Sequence, residues 1–114
     1  MAIKRHNQNK ILARIVEYKD LVFICGMTAD NKGGDIKAQT KRVTELLDQH
    51  LAAAGTNKSK MLSATVYITE MSAKPAMNEI WTAWCDPENM PARTCVEAGL
   101  DGGALVEITV TAAK

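Results

Sequence analysis

Aromatic residues are scarce in this chain, at 4% of 114 residues, so large rings cannot supply most of its buried volume. Hydrophobic residues nevertheless amount to 46%, which excludes an intrinsically disordered chain. We therefore expect a core of Val, Ile, Leu, Met and Ala side chains. Because this length suits one compact unit, we predict a single domain over residues 1–114.

Long apolar runs and an excess of one charge are also missing. The longest apolar run, 21–25, is far shorter than the ~20 residues of a membrane span, and the first ten residues lack the apolar core of a secretory signal peptide. The net charge is +1, with 14 basic and 13 acidic residues. Since nucleic-acid binders usually carry a basic excess on one face, neither nucleic acid nor a membrane is expected as a partner.

Cysteine and histidine are too few for the common metal-binding motifs. The three cysteines, at 25, 85 and 95, form no closely spaced pair and leave an odd thiol. This is typical of a reducing compartment and predicts a cytoplasmic protein. His6 and His50 are the only histidines, and neither lies in a catalytic motif. We therefore expect no metal, no cofactor and no thiol–imidazole dyad.

The hydrophobic pattern predicts strands first, and then helices and strands in alternation. Residues 3–6 are expected as a short edge strand, and 11–17 and 21–25 as the two arms of a hairpin. The 21–25 segment is apolar throughout, which favours a strand covered on both faces. Asp35 is expected to cap a helix whose apolar stripe continues to Ala54.

The second half of the chain continues the alternation. Residues 61–69 have a period of two, with Leu62 on the apolar face, and a second helix is expected from about Pro75. Further strands are expected over 94–98 and 104–112. Six strands and two helices indicate an α+β fold, with one mixed sheet and both helices packed on one of its faces.

The last predicted strand indicates what the other face of the sheet presents. Glu107 and Thr109 alternate with apolar residues, so they are expected to point away from the helices. A polar face of this kind is either solvated or lines a subunit interface.

The segment Pro91-Ala-Arg-Thr-Cys-Val-Glu contains the site candidate that the pattern itself suggests. Arg93 lies at the start of the strand, where its guanidinium could present two donors to a planar carboxylate. A surface arginine paired with a neighbouring acid explains the same pattern, and spacing alone favours it. Cys95 is interpreted as a structural cysteine, because no histidine is placed to activate it.

Three segments together resemble the RidA/YjgF family over nearly the whole chain. They are 57–66 (NKSKMLSATV), 76–84 (AMNEIWTAW), and 91–97 (PARTCVE) followed by Val106-Glu107-Ile108. The short length and the first segment look most similar to the YoaB-like branch. The resemblance implies the chorismate-mutase-like YjgF fold and a homotrimer, in which three sheets form a central barrel with clefts between neighbouring subunits. Active members hydrolyse 2-imino or 2-enamino acids to 2-keto acids and ammonia.

The resemblance also implies roles for single residues. Arg93 matches the arginine that binds the substrate carboxylate, and Glu107 matches the glutamate near the attacking water. Cys95 matches the cysteine whose main-chain groups line the pocket. Gly26 and Cys25 match a Ser-Gly turn, with cysteine in place of serine. Arg93 and Glu107 are thus assigned as catalytic, and Arg93, Cys95, Gly26 and Cys25 as substrate-binding.

One position departs from the family pattern. Active members carry a tyrosine where this chain has Leu12, fourteen positions before Gly26. Two functions therefore stay open: an imine hydrolase, or a non-catalytic trimer that binds small carboxylates such as 2-keto acids in a metabolic regulatory role. The missing hydroxyl favours the second. A ribonuclease role, suggested by an old label of relatives, is disfavoured by the charge balance and the lack of histidine pairs.

Overall fold

The computed structural model describes residues 2–114 and contains six strands and two α-helices. In chain order they are β1 (Lys4–His6), β2 (Ile15–Tyr18), β3 (Leu21–Met27), α1 (Ile36–Ala53), β4 (Met61–Ile68), α2 (Lys74–Trp84), β5 (Ala92–Glu97) and β6 (Val106–Ala113). All six strands form one sheet in the order β1-β2-β3-β6-β4-β5. The β4–β5 pair is parallel and the other pairs are antiparallel, so the predicted mixed α+β sheet is confirmed.

The core lies between the two helices and one face of the sheet. Helix α1 packs on β3, on β6 and against α2. The apolar residues of β6, Val106, Ile108 and Val110, are at most 2% exposed. Burial of a side chain of this size stabilises a fold by roughly 1.5–3 kcal/mol. Their alternation confirms that Glu107 points away from the helices.

Both predicted helices are present, with the expected end signals. The Asp35 side chain accepts a hydrogen bond from the Ala38 N–H at 2.9 Å and so caps α1. Gly55 follows the helix with φ of +77°, a conformation that costs glycine little. Helix α2 carries Pro75 in its first turn, where the missing N–H has no intrahelical acceptor.

The predicted strand over 11–17 is wrong in its first half, since β2 begins at Ile15. The Asn9 side chain accepts hydrogen bonds from the N–H groups of Ile11 and Leu12, at 2.7 and 3.0 Å. The Asn9 N–H in turn donates to the Leu12 carbonyl at 2.9 Å. An asparagine that binds nearby main-chain groups in this way favours a turn over a strand. Leu12 therefore lies in a loop and is 41% exposed.

The expected position of Leu62 on the buried face is also wrong. The register between β4 and β6 shifts between Met61 and Ser63, as a β-bulge does. One extra residue reverses the inward and outward positions, so Met61 is 5% exposed and Leu62 is 48% exposed.

Strand β3 is covered on one face only within a single chain. Val22 and Ile24 are buried, whereas Leu21 and Phe23 are 36% and 43% exposed. Phe23 pairs with Thr111, so the uncovered apolar side chains share the face that carries Glu107. The expectation of a strand covered on both faces therefore fails for one chain alone. In the described part of the chain, no helix is both long and apolar enough to cross a membrane.

Candidate functional site

Arg93 lies on the edge strand β5 and points toward α2. In the parallel register it is opposite the buried Ala64, so both residues face the helices. Its Nη1 donates a hydrogen bond to the Asn78 side-chain oxygen at 2.7 Å. The guanidinium carbon lies 5.6 Å from the centre of the Trp81 ring, within the range of a cation–π contact. The half-buried arginine is therefore held in place by neutral partners.

Among the described residues, no acidic side chain neutralises Arg93. Within residues 2–114, it takes part in none of the ion pairs, so the interpretation as a surface arginine paired with an acid is wrong. A cleft of about 290 Å³ opens beside it. Its walls are formed by Asn78, Trp81, Thr82, Met90, Pro91 and Arg93. A planar anion that enters this cleft meets a positive charge without a competing carboxylate.

Glu107 lies on the opposite face of the sheet, against the β3 segment that contains Gly26. An added Cβ at Gly26 would come within 2.5 Å of the Glu107 Oε2 and 2.8 Å of its Cδ. Only a residue without a side chain leaves room for the carboxylate in this position. A cleft of about 400 Å³ lies beside Glu107. It is lined by Thr28, Lys32, Gly99, Leu100, Asp101 and Glu107.

The structure therefore brings Gly26 and Glu107 together but does not bring Arg93 to them. Glu107 is opposite Tyr67 on one face of the sheet, and Arg93 is opposite Ala64 on the other. The two side chains line different clefts of one chain. A pocket that uses both must take them from two chains.

The three cysteines are free thiols and differ in their surroundings. Cys95 is half-buried, is opposite Val66 on the face of Arg93, and packs against the core. Cys25 is half-buried beside Gly26, and its N–H donates to the Arg14 carbonyl at 3.0 Å. Burial raises the pKa of the Cys85 thiol to about 11, so it is protonated at neutral pH.

Sequence reasoning missed Asn78, the residue that orients the Arg93 guanidinium. Helical spacing places Asn78 at the edge of the apolar side of α2 that Met77 and Trp81 form, so the pattern alone does not mark it as a residue in need of a partner. The other positions singled out from the sequence, which are Cys25, Gly26, Cys95 and Leu12, do not line the Arg93 cleft. Leu12 lines a separate surface cleft of about 250 Å³ formed by the loop around it.

Comparison with known proteins gives one consistent result. The family model described as Endoribonuclease L-PSP matches residues 5–114. A RutC family protein of Haemophilus ducreyi is 33% identical over 112 residues, covering 97% of this chain and 96% of the relative. The RutC family protein YoaB of Escherichia coli is 31% identical over 114 residues and 99% of both chains. A crystal structure of a YjgF family member from Neisseria meningitidis superposes with a TM-score of 0.96 at 35% identity, covering 100% of this chain and 96% of the other. The fold, the Arg93 segment and these full-length matches together show that the chain belongs to the RidA/YjgF family.

Proposed function

We propose that this protein hydrolyses 2-imino or 2-enamino acids to 2-keto acids and ammonia in a pocket formed between two subunits of a homotrimer. The proposal rests on one observation: the arginine that could bind a substrate carboxylate and the glutamate that could activate water lie on opposite faces of the sheet of one chain. Arg93 lies at an edge of the sheet without an acidic partner, and Glu107 lies over Gly26 on the uncovered face. A second chain packed on that face supplies the missing half of each pocket.

The uncovered face has the composition of an interface. It combines exposed apolar side chains, including Leu21 and Phe23, with a half-buried polar row that includes Glu107 and Thr109. The Thr109 hydroxyl already donates to the Ile24 carbonyl at 2.7 Å, so it needs no water. A closed symmetric assembly removes such a face from solvent.

The chemistry needs few groups, because the carbon of a protonated imine is already electrophilic. Arg93 binds the substrate carboxylate and fixes the position of this carbon. Glu107 takes a proton from a water molecule as its oxygen bonds to the carbon, which gives a carbinolamine. The protonated Glu107 returns the proton to the nitrogen. The Glu107 carboxylate then takes the hydroxyl proton as the C=O double bond forms and the C–N bond breaks. The keto acid and ammonia are released, and the proton leaves Glu107 with the ammonia as ammonium.

The second candidate is a non-catalytic trimer that binds small carboxylates, and Leu12 favours it. This residue lies in the loop of 9–12 and offers no hydroxyl to a substrate. In this case Arg93 still binds 2-keto acids, while Glu107 has a structural role. A ribonuclease role is a poorer candidate, because the two histidines do not form a pair: His6 contacts the Glu17 carboxylate and His50 contacts the Leu46 carbonyl.

A coupled assay, in which a second enzyme produces the imino acid in the same reaction mixture, distinguishes the hydrolase from the binding protein. An amino-acid oxidase or dehydratase produces 2-iminobutanoate, and the release of 2-oxobutyrate is followed with and without the protein. Glu107→Gln keeps the size of the side chain but cannot accept the proton, so the rate should fall roughly 100-fold. The binding candidate predicts no acceleration by the unmodified protein, together with measurable affinity for 2-oxobutyrate. We place this reaction in the cytoplasm, which the three free thiols support.

A further inference from the structure

A further cavity, which adjoins the cleft of Glu107, carries a concentration of basic groups. It has a volume of about 410 Å³, and Arg14, Lys32 and His50 form part of its wall. We propose that it binds the phosphate group of a small metabolite. This proposal does not depend on imine hydrolysis, because neither Arg93 nor Glu107 lines the cavity.

The acidic side chain in the wall of this cavity does not neutralise its basic residues. Asp30 is the acidic residue of the wall, and Arg42 holds it through two hydrogen bonds of 2.8 and 2.9 Å. This bidentate contact lowers the pKa of Asp30 and occupies its carboxylate. Among the ion pairs of residues 2–114, none includes Arg14 or Lys32. Both cations therefore stay available to an external anion.

The imidazole of His50 favours phosphate over carboxylate. Its Nδ1 lies 2.8 Å from the Leu46 carbonyl oxygen, which can only accept a hydrogen bond, so Nδ1 carries a proton. In the neutral ring Nε2 is then an acceptor. A phosphate that keeps one hydroxyl, as inorganic hydrogen phosphate or a singly ionised phosphate ester does, can donate it to this atom while its charged oxygens face Arg14 and Lys32. An ionised carboxylate has no such proton to give.

The loop that carries Lys32 is fixed by a buried amide. Gln39 is 1% exposed, and its Nε2 lies 3.2 Å from the Lys32 carbonyl oxygen and 3.1 Å from that of Gly34. Its Oε1 accepts a hydrogen bond from the Leu105 N–H at 2.9 Å. The Gln39 side chain therefore links the loop to the main chain at Leu105. Because the loop is already ordered, ligand binding loses little conformational entropy there.

The remaining wall of the cavity is apolar. Met27 and Ala29 are buried, at 3% and 0% exposure, and the half-buried Leu46 lies with them. This composition fits a phosphate ester with a small carbon skeleton. Lys32 and Thr28 also line the cleft of Glu107, so a bound phosphate would hold Lys32 beside the proposed catalytic carboxylate.

Calorimetric titration with inorganic phosphate, at ionic strength held constant with sodium chloride, tests the assignment. Saturable binding is expected, and Arg14→Gln and Lys32→Gln should each weaken it roughly tenfold, as the loss of one charge-assisted hydrogen bond does. Lys60→Gln is the matched control, since Lys60 is exposed and precedes β4 at the opposite end of the sheet. This variant should bind like the unmodified protein.

Four results with phosphate would overturn the proposal, and one with acetate. The four with phosphate are the absence of saturable binding, equal loss in the Lys60→Gln control, retention of full affinity in both Arg14→Gln and Lys32→Gln, and loss of phosphate binding in Arg93→Ala. An acetate titration serves as the second arm. Acetate affinity equal to that of phosphate would contradict the role of His50 and the phosphate assignment.

Discussion

Replacement of Gly26 by alanine tests the contact that positions Glu107. The added Cβ would lie 2.5 Å from the Glu107 Oε2, against 3.4 Å for the near limit of ordinary contact, so the carboxylate must retreat by about 0.9 Å. Forced repacking costs about 1–3 kcal/mol, and the lower end applies because Oε2 is the end of a flexible side chain. The φ angle of Gly26 is not in the left-handed region, so alanine brings no backbone strain and instead gains about 0.4–1 kcal/mol from a less flexible unfolded chain.

The cost of the clash and the gain from the less flexible unfolded chain nearly cancel in the unmodified protein. A double-mutant cycle measures them separately. In a Glu107→Ala background the clash is gone, and Gly26→Ala should stabilise the protein by about 0.4–1 kcal/mol. The difference between backgrounds, about 1 kcal/mol, is the energy of the clash between the added methyl group at position 26 and the Glu107 carboxylate. Urea denaturation at one protein concentration measures it, since the stability of the proposed trimer would depend on concentration.

Gly99→Ala provides the matched control. Gly99 lines the same cleft as Glu107, and an added Cβ there meets nothing within 4 Å. It should show no coupling to Glu107→Ala. Equal effects of Gly26→Ala in both backgrounds would refute the reasoning, because the glycine would then not be required by the carboxylate.

Other consequences of the structure can be measured separately. Asn78→Asp places a carboxylate 2.7 Å from the Arg93 guanidinium, so calorimetry should show 2-oxobutyrate binding at least roughly tenfold weaker, whereas Asn78→Ala should cost less; equal affinities would remove Arg93 from the ligand site. The ion pair of Glu17 with Lys114 and its hydrogen bond with His6 lower the pKa of this carboxyl, so its stabilising contribution is complete above the usual value of 4.5 and is lost as the pH falls through the lowered value. Thermal melts should therefore show Glu17→Gln less stable than the unmodified protein at pH 7, with the gap closing in acid; a gap independent of pH would contradict this. Cys85 should resist iodoacetamide at pH 7.5 under native conditions, as followed by peptide mass spectrometry, and rapid native labelling would contradict its burial.

Much of the fold could be predicted from the sequence because its signals are local. The helix after Asp35 combines a cap, an apolar stripe and a terminal glycine, and all three act within a few residues. The alternation in β6 likewise identifies its buried face without knowledge of its neighbours. The segment around Arg93 was found for the same reason, since its residue types are contiguous.

The errors occur where main-chain geometry depends on partners distant in sequence or on one side chain. Leu62 is exposed because a bulge against β6 shifts the register, and the period-two pattern of β4 does not record it. Leu12 lies in a turn because the Asn9 amide binds its N–H. The contacts of Asn78 with Arg93 and of Gly26 with Glu107 join residues of different elements, so spacing alone did not indicate either.

Subunit mixing tests most directly the central claim that Arg93 and Glu107 of different chains form one hydrolytic site. Arg93→Ala and Glu107→Gln proteins are assayed alone for 2-iminobutanoate hydrolysis, and again after they are unfolded together and refolded as mixed trimers. Each alone should be nearly inactive. Random mixing in equal amounts makes about three quarters of the trimers mixed, and about one site in three of a mixed trimer combines an intact arginine with an intact glutamate from another chain. About a quarter of all sites in the refolded population are therefore intact. The account predicts that the mixture recovers about this fraction of the unmodified rate. Mixed trimers as inactive as either parent, or an unmodified protein no faster than the uncatalysed reaction, would contradict it.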